Sequence, residues 1–191
     1  MLTQSTRSLL SVSAQQKTMP IIENRLRLAR ALDTSQIPAI LVRHCSLFEL
    51  RPLLDQAYER EVVIYVNVDH IDGIHPDTAG LRYLAQQLHI AGIISAHPRI
   101  LALGKEYGLE VIQRLFAVDS AGLEVALDSV DSHIVDLLDI SPALVIPYIV
   151  PQHSLPLPFM GSGLIYTYQQ VQAVLRAGAF CVAVVRPELW M

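Results

Sequence analysis

The chain has 191 residues, 52% of them apolar and only 17% charged, so it can bury one sizeable core and should cover most faces of its elements. That balance suits a parallel sheet buried on both sides, or a chain that hides further surface in an oligomer. The net charge of −4 argues against a surface made for bulk, nonspecific nucleic-acid binding.

No stretch reaches the roughly 18–20 uninterrupted apolar residues of a spanning helix. The first residues lack a basic segment followed by a long apolar run, so the expectation is a cytoplasmic protein without membrane contact or signal peptide. Cys45 and Cys181 have no C-x-x-C spacing and read as reduced thiols. Charge is unevenly spread. Residues 1–30 hold Arg7, Lys17, Arg25, Arg27 and Arg30 against Glu23, and the rest is acidic. A basic arm on an acidic body suits RNA contact through Arg25, Arg27 and Arg30, and suits a solvated first helix equally well.

In chain order, residues 1–19 are rich in Ser, Thr and Gln and read as a loose arm preceding a barrel domain over 20–191. The spacing of Ile22, Leu26, Ala29 and Leu32 predicts an amphipathic helix from about Pro20 to Leu32, with Pro20 in its first turn. From Ile37 a unit repeats: apolar run, polar turn, amphipathic stretch. The runs are Ala39–Val42, Val62–Val68, Ala91–Ile94, Val111–Phe116, Ile134–Ile140, Leu155–Met160 and Ala179–Val185. Helical patterns lie between them at Asp77–His89, Pro98–Tyr107, Ser120–Asp131 and Thr167–Ala177. Thr167 with Gln170 has the spacing of a capping box, and Gly108 and Gly178 stand where helices stop. Pro142, Pro147 and Pro151 break the segment after Ile140 into short helix.

Strands alternating with helices imply right-handed crossovers and a parallel sheet. Continuous apolar runs fit either a doubly wound sheet or a barrel, and periodicity alone does not decide; the expected fold is α/β, a TIM-type barrel. Seven strands are readable where closure needs eight, which leaves either an irregular strand or imperfect closure.

In such folds ligands bind beyond the C-terminal ends of the strands. The residues there are His44, Asp69-His70, Ser95, Gln113-Arg114, Asp139, Gly161-Ser162-Gly163 and Arg186, with His97 nearby. A polar ring on an apolar barrel is the layout of a small-molecule site. Gly161-Ser162-Gly163 precedes a capped helix and can let backbone N–H groups approach a phosphate. Arg186 can add a cation there, or pair with Glu188. Asp69 can bind hydroxyls, act as a base, or simply cap its turn. Neighbouring Gln113 and Arg114 point to opposite faces of their strand, so only one can face the mouth. His70 and His75 lack metal-ligand spacing in their loop. Asp69 and Asp139 are the only acid/base pair to suggest itself, and no nucleophile elbow, P-loop or Cys/His set appears. The expectation is a binder without catalytic residues, metal or cofactor; the alternative is a barrel enzyme or diverged sensor for a small phosphorylated metabolite, with Asp69 or Asp139 as base in the enzyme.

Several segments resemble the glycerol-3-phosphate-responsive antiterminator family. They are Val68-Asp69 with Gly73, Gly92-Ile93-Ile94-Ser95, Ile112-Gln113-Arg114-Leu115-Phe116 with Asp119-Ser120, Gly163-Leu164-Ile165, Ala177-Gly178-Ala179 and Glu188-Leu189-Trp190. Order and spacing match from roughly Ile37 to the C-terminus. The resemblance implies a TIM-related barrel that senses glycerol 3-phosphate and binds leader mRNA so that transcription passes a terminator, with no catalysis; a homodimer is expected. It carries ligand contacts onto Asp69, Ser95, Gln113, Arg114, Asp119, Gly161 and Gly163. The chain departs from the family pattern at Ser95-Ala96-His97 in place of Ser-Thr-Arg, and at Ser162-Gly163 in place of Gly-Gly. Tyr166 stands for an arginine, Val184 and Val185 for threonine and serine, and Ser141-Pro142-Ala143 for Leu-Pro-Gly. Charged hydrogen bonds to phosphate contribute about 1.5–3 kcal/mol each, so the ligand can differ from the family's.

Overall fold

The computed structural model describes residues 8–12, 17–33 and 37–190. Eight parallel strands close into a barrel: β1 Thr18–Ile22, β2 Ala39–Val42, β3 Val63–Asn67, β4 Gly92–Ser95, β5 Glu110–Phe116, β6 Leu137–Ser141, β7 Phe159–Ser162 and β8 Val182–Val184. β1 pairs with both β2 and β8, which completes the ring. Around it run α1 Arg25–Asp33, α2 Leu47–Tyr58, α3 Thr78–Gln86, α4 Pro98–Glu106, α5 Ser120–Asp128, the short α6 Ile146–Ile149 and α7 Tyr168–Arg176. A two-residue ladder, Cys45–Ser46 with Ile71–Asp72, ties the loops after β2 and β3 together. None of these helices is long and apolar enough to cross a membrane.

Each of the seven expected runs contains a strand, although Leu155–Met160 is strand only from Phe159, Ile134–Ile140 only from Leu137 and Ala179–Val185 only over Val182–Val184; closure is complete because of an eighth. Thr18–Ile22, read as the end of an arm and the start of a helix, is fully buried extended chain. Met19-Pro20-Ile21-Ile22 is a short continuous apolar run, which periodicity cannot tell from buried helix. Proline's fixed φ tolerates the extended form, and Pro20 sits in register with Val184. The helix begins only at Arg25 and buries Leu28 and Ala31, whereas Leu26 is 85% exposed. Helix α2 was not among the expected patterns, although Ser46 and Glu49 form a complete capping box at its start.

The arm reading is also corrected in part. Residues 1–7 and 13–16 lie outside the described residues, but Leu9–Val12 form one helical turn and Leu9 is completely buried. Leu9 packs with Met19, Ile21, Leu41, Tyr65 and Ile112 inside the barrel and so plugs its floor. The Glu110 carboxylate fixes it there, accepting from Ser8 Oγ at 2.6 Å, from the Leu9 N–H at 2.9 Å, and from the Tyr65 hydroxyl. A second, larger apolar layer lies between the strands' outer faces and the helices. Both cysteines are free and buried; burial pushes the Cys45 thiol up to about 12 and raises that of Cys181 as well.

Candidate functional site

The barrel interior turns polar at its C-terminal end. Alternation along the strands decides which side chains enter. On β5, Ile112 and Arg114 point inward while Val111, Gln113 and Leu115 face the helices. Gln113 is therefore not a mouth residue: its Nε2 donates to Ser129 Oγ at 2.8 Å, at the end of α5. On β3 the inward set is Tyr65 and Asn67, and on β6 it is Leu137 and Asp139. On β7, a Cβ at Gly161 would point into the helix layer, so the buried Ser162 faces inward.

The central feature is an ion pair. Arg114 is 6% exposed and Asp139 0%. Arg114 Nε donates to Asp139 Oδ2 at 2.8 Å, and Nη2 lies 2.6 Å from that same oxygen. That second contact is close enough for charge attraction but out of line for a hydrogen bond, so the pair is not a two-pronged fork. Asp139 Oδ1, Arg114 Nη2 and Asn67 Nδ2, all on inward-facing residues, remain buried without a hydrogen-bond partner. Such orphans are rare in folded proteins and each needs an explanation. Above this layer, Glu23 bridges Arg43 at 3.2 Å and Arg27 at 2.8 Å.

Asp69 is spent on structure. Its Oδ1 accepts from Ser95 Oγ at 2.7 Å and its Oδ2 from the Ala96 N–H at 2.8 Å, tethering the end of β4 to the turn after β3. His97 is exposed, at the N-cap of α4, and makes no side-chain cap bond. Asp119 caps α5 through the Gly122 N–H at 2.7 Å. His44 and His70 stack with ring centroids 4.6 Å apart. Burial, then the neighbouring His44, holds the His70 imidazole below its ordinary value. The unfolded chain therefore takes up a proton that the folded one resists, and stability falls as pH drops from above 6.5 through the lowered folded value. Thermal melts between pH 8 and 5 should show a shallower decline for His70→Asn; equal slopes would remove His70 from the account.

The glycine loop has a packing origin. A Cβ at Gly161 would lie 2.7 Å from Ile146 Cδ1 and 2.8 Å from Ala143 Cβ, while Gly163 holds a φ of +82°. Gly161→Ala should destabilise by about 1–3 kcal/mol through overpacking, measurable by urea denaturation; an unchanged midpoint would contradict the packing reading. Three N–H groups beyond the loop are already used. Tyr166 and Thr167 donate to Gln170 Oε1 at 2.7 and 3.1 Å, and Gln170 N–H donates to Thr167 Oγ1 at 3.3 Å. Arg186 neither enters the mouth nor pairs with Glu188. It is exposed, its guanidinium carbon 5.0 Å from the Tyr166 ring centroid, and Glu188 instead meets Arg30 at 3.6 Å.

Of the predicted ligand residues, the structure brings Arg114, Asp139 and Ser162 into one layer. Asp69, Ser95, Gly161 and Gly163 stand behind it, and Gln113, His97 and Arg186 lie away from it. Asn67, Glu23 and Arg43 were missed, although the parity of Asn67 with Tyr65 on one strand was available. A cavity of about 380 Å³ lies at the opposite end, lined by Ser8, Tyr58, His89, Lys105 and Glu110. It contains none of the expected ligand residues, whereas a cavity of about 580 Å³ beside the mouth is lined by Asp69 and His97. The mouth is the stronger candidate because Asp139 Oδ1, Arg114 Nη2 and Asn67 Nδ2 are left without hydrogen-bond partners on inward-facing positions and because barrels bind ligands at that end. Among the described residues no group of three or more His, Cys, Asp or Glu could hold a metal. Of the chain's two lysines, Lys17 directly precedes β1 and Lys105, in α4, pairs with Asp136 just before β6, so no carbonyl-capturing amine lines the mouth.

Comparison with solved structures gives three informative likenesses. A glycerol uptake operon antiterminator regulatory protein from Listeria monocytogenes is 22% identical, with a TM-score of 0.85 over 92% of this chain and 95% of that one. A glycerol uptake operon antiterminator-related protein from Thermotoga maritima is 16% identical, at a TM-score of 0.80 over 92% and 98%. A deoxyribose phosphate aldolase from Aeropyrum pernix, 14% identical, reaches 0.68 over 96% and 90%. At these identities the likeness establishes the barrel alone. Curated protein sequences return no match. The family model described as glycerol-3-phosphate responsive antiterminator matches residues 18–190, from the first residue of β1 to Trp190. This chain belongs to the glycerol-3-phosphate responsive antiterminator family.

Proposed function

We propose that the protein is a cytoplasmic antitermination regulator, acting as a homodimer, that binds leader mRNA in response to a small phosphorylated ligand held at the barrel mouth. Glycerol 3-phosphate is the effector the family description carries. The observation behind this reading is the pair of unpartnered buried atoms, Asp139 Oδ1 and Asn67 Nδ2. A buried polar group left unsatisfied costs about 1–3 kcal/mol. A polyol carries several hydroxyls, of which one can donate to Asp139 and another accept from Asn67, recovering both. Arg43 and Arg114 supply positive charge on the same side, as their influence on His70 indicates.

A second effector is favoured by one observation. Three N–H groups beyond β7 are spent internally, those of Tyr166, Thr167 and Gln170. Fewer donors are then left for a phosphate, and an unphosphorylated polyol can compete. A gel-shift series against the leader of the protein's own operon, with glycerol 3-phosphate, glycerol or inorganic phosphate, tests the reading. Retention of the leader that changes with glycerol 3-phosphate supports it; no retention under any condition defeats it. A response to glycerol alone replaces the effector and keeps the regulator. Size-exclusion chromatography at micromolar concentration should give twice the mass of one chain, and a monomer would remove the homodimer.

A further inference from the structure

We propose that the leader RNA, on the reading above, binds as a single strand across one arc of the mouth, formed by the loops after β7, β8, β1 and β2. Tyr166 and Phe48 stack its bases, and Arg186 and Arg25 meet its phosphates.

Three observations converge on this arc. The first is exposure of aromatic rings: Phe48 is 88% exposed and Tyr166 52%, and Tyr168 stands open beside Tyr166. The second is the Arg186 guanidinium, 5.0 Å from the Tyr166 centroid. A cation stacked on a ring presents a planar, positively charged surface, and unpaired bases stack on both aromatic and guanidinium planes. The third is continuity and charge. Arg30 meets Glu188 at 3.6 Å, tying the turn after Arg186 to α1. Arg25, at the start of α1, is close enough to Glu49 to lower its carboxyl, next to Phe48 on α2. Arg25, Arg27, Arg30, Arg43 and Arg186 outnumber Glu23, Glu49 and Glu188 here. The loops after β3 and β5 instead carry Asp69, Asp72, Asp77 and Asp119, which repel a phosphate backbone. The mouth is thus polarised. It accepts a strand on one arc only, and an exposed ring needs an unstacked base, which a duplex does not offer.

This relocates the RNA contacts expected of Arg25, Arg27 and Arg30. Arg27 points back to Glu23 and sits lower in the mouth, so Arg25 is the helix's contribution and Arg186 joins it from across β8. The loops after β7 and β8 also flank Ser162 and Gly163, so ligand and RNA share a boundary.

Fluorescence anisotropy of the labelled leader with Tyr166→Ala, Phe48→Ala and Arg186→Ala tests the arc. Each loss should weaken binding about 10-fold, with melting temperatures unchanged because all three side chains lie at the surface. Arg186→Ala should also flatten the slope of log affinity against log salt by about 0.7, and Arg186→Lys should restore that slope. Phe48→Ala should bind glycerol 3-phosphate as the wild type does. Affinities within twofold of wild type in all three variants overturn the arc while leaving the regulator intact. A wild-type protein that binds no leader overturns the regulator reading, and the arc with it. Equal affinity for a duplex of the same sequence overturns the single-strand assignment. Weaker RNA binding that accompanies conversion of a dimer to a monomer by Phe48→Ala makes Phe48 a self-association residue and overturns its stacking role.

Discussion

Asp139→Ala is expected to destabilise the barrel by about 3–5 kcal/mol, the usual cost of stranding one member of a buried ion pair. Arg114 cannot shed its proton, and at 6% exposure it is largely screened from bulk water. Among the described residues Asp139 is the one carboxylate in an ion pair with it. Against a total stability of about 5–15 kcal/mol, the loss should pull the urea midpoint down sharply. The double variant Arg114→Met with Asp139→Leu should recover most of it, because an apolar pair of similar volume avoids the desolvation of both charges. It should also lose ligand binding. If the single variant costs under about 1 kcal/mol, Arg114 finds another partner and the pair is not the keystone of the mouth. A buried pair that hydrophobic residues could replace is retained for a reason other than stability, and the spare oxygen of Asp139 supplies one.

Leu9→Ala is the second large effect, about 2–5 kcal/mol. Leu9 is completely buried among Met19, Ile21, Leu41 and Tyr65, and its backbone N–H donates to Glu110 at 2.9 Å. Truncation opens a void at the floor of a barrel whose wall cannot collapse inward. Urea denaturation with the wild type alongside measures it. A cost below about 1 kcal/mol would place Leu9 outside the core and return the segment before β1 to the arm first expected of it.

The strands from Ala39 onward were legible because each lies in or at the end of a largely apolar stretch with turn signals around it. Thr18–Ile22 was not, since Ile22, Leu26, Ala29 and Leu32 also fit a helical spacing and only tertiary pairing with β2 and β8 decides between them. At the site, position along the chain gave the strand ends but not their facing. Gln113 and Arg114 are adjacent, and nothing local says which enters the barrel; the hydroxyl of Ser129 settles it from another element. The glycine loop was visible, while its cause was not. Gly161 is small for the sake of Ile146 and Ala143, contacts that depend on where α6 packs. Tyr166 with Arg186, and Glu23 with Arg43, are separated by about twenty residues and meet because consecutive parallel strands lie side by side.

The claim that the mouth holds the ligand is tested most directly by calorimetric titration of glycerol 3-phosphate into the wild type, Asn67→Ala and Tyr58→Phe. The expected result is one saturable site, weakened about 5- to 10-fold by loss of the Asn67 donor and unchanged by Tyr58→Phe, which alters the cavity at the floor. Equal affinity in Asn67→Ala, or weakening by Tyr58→Phe instead, would contradict it.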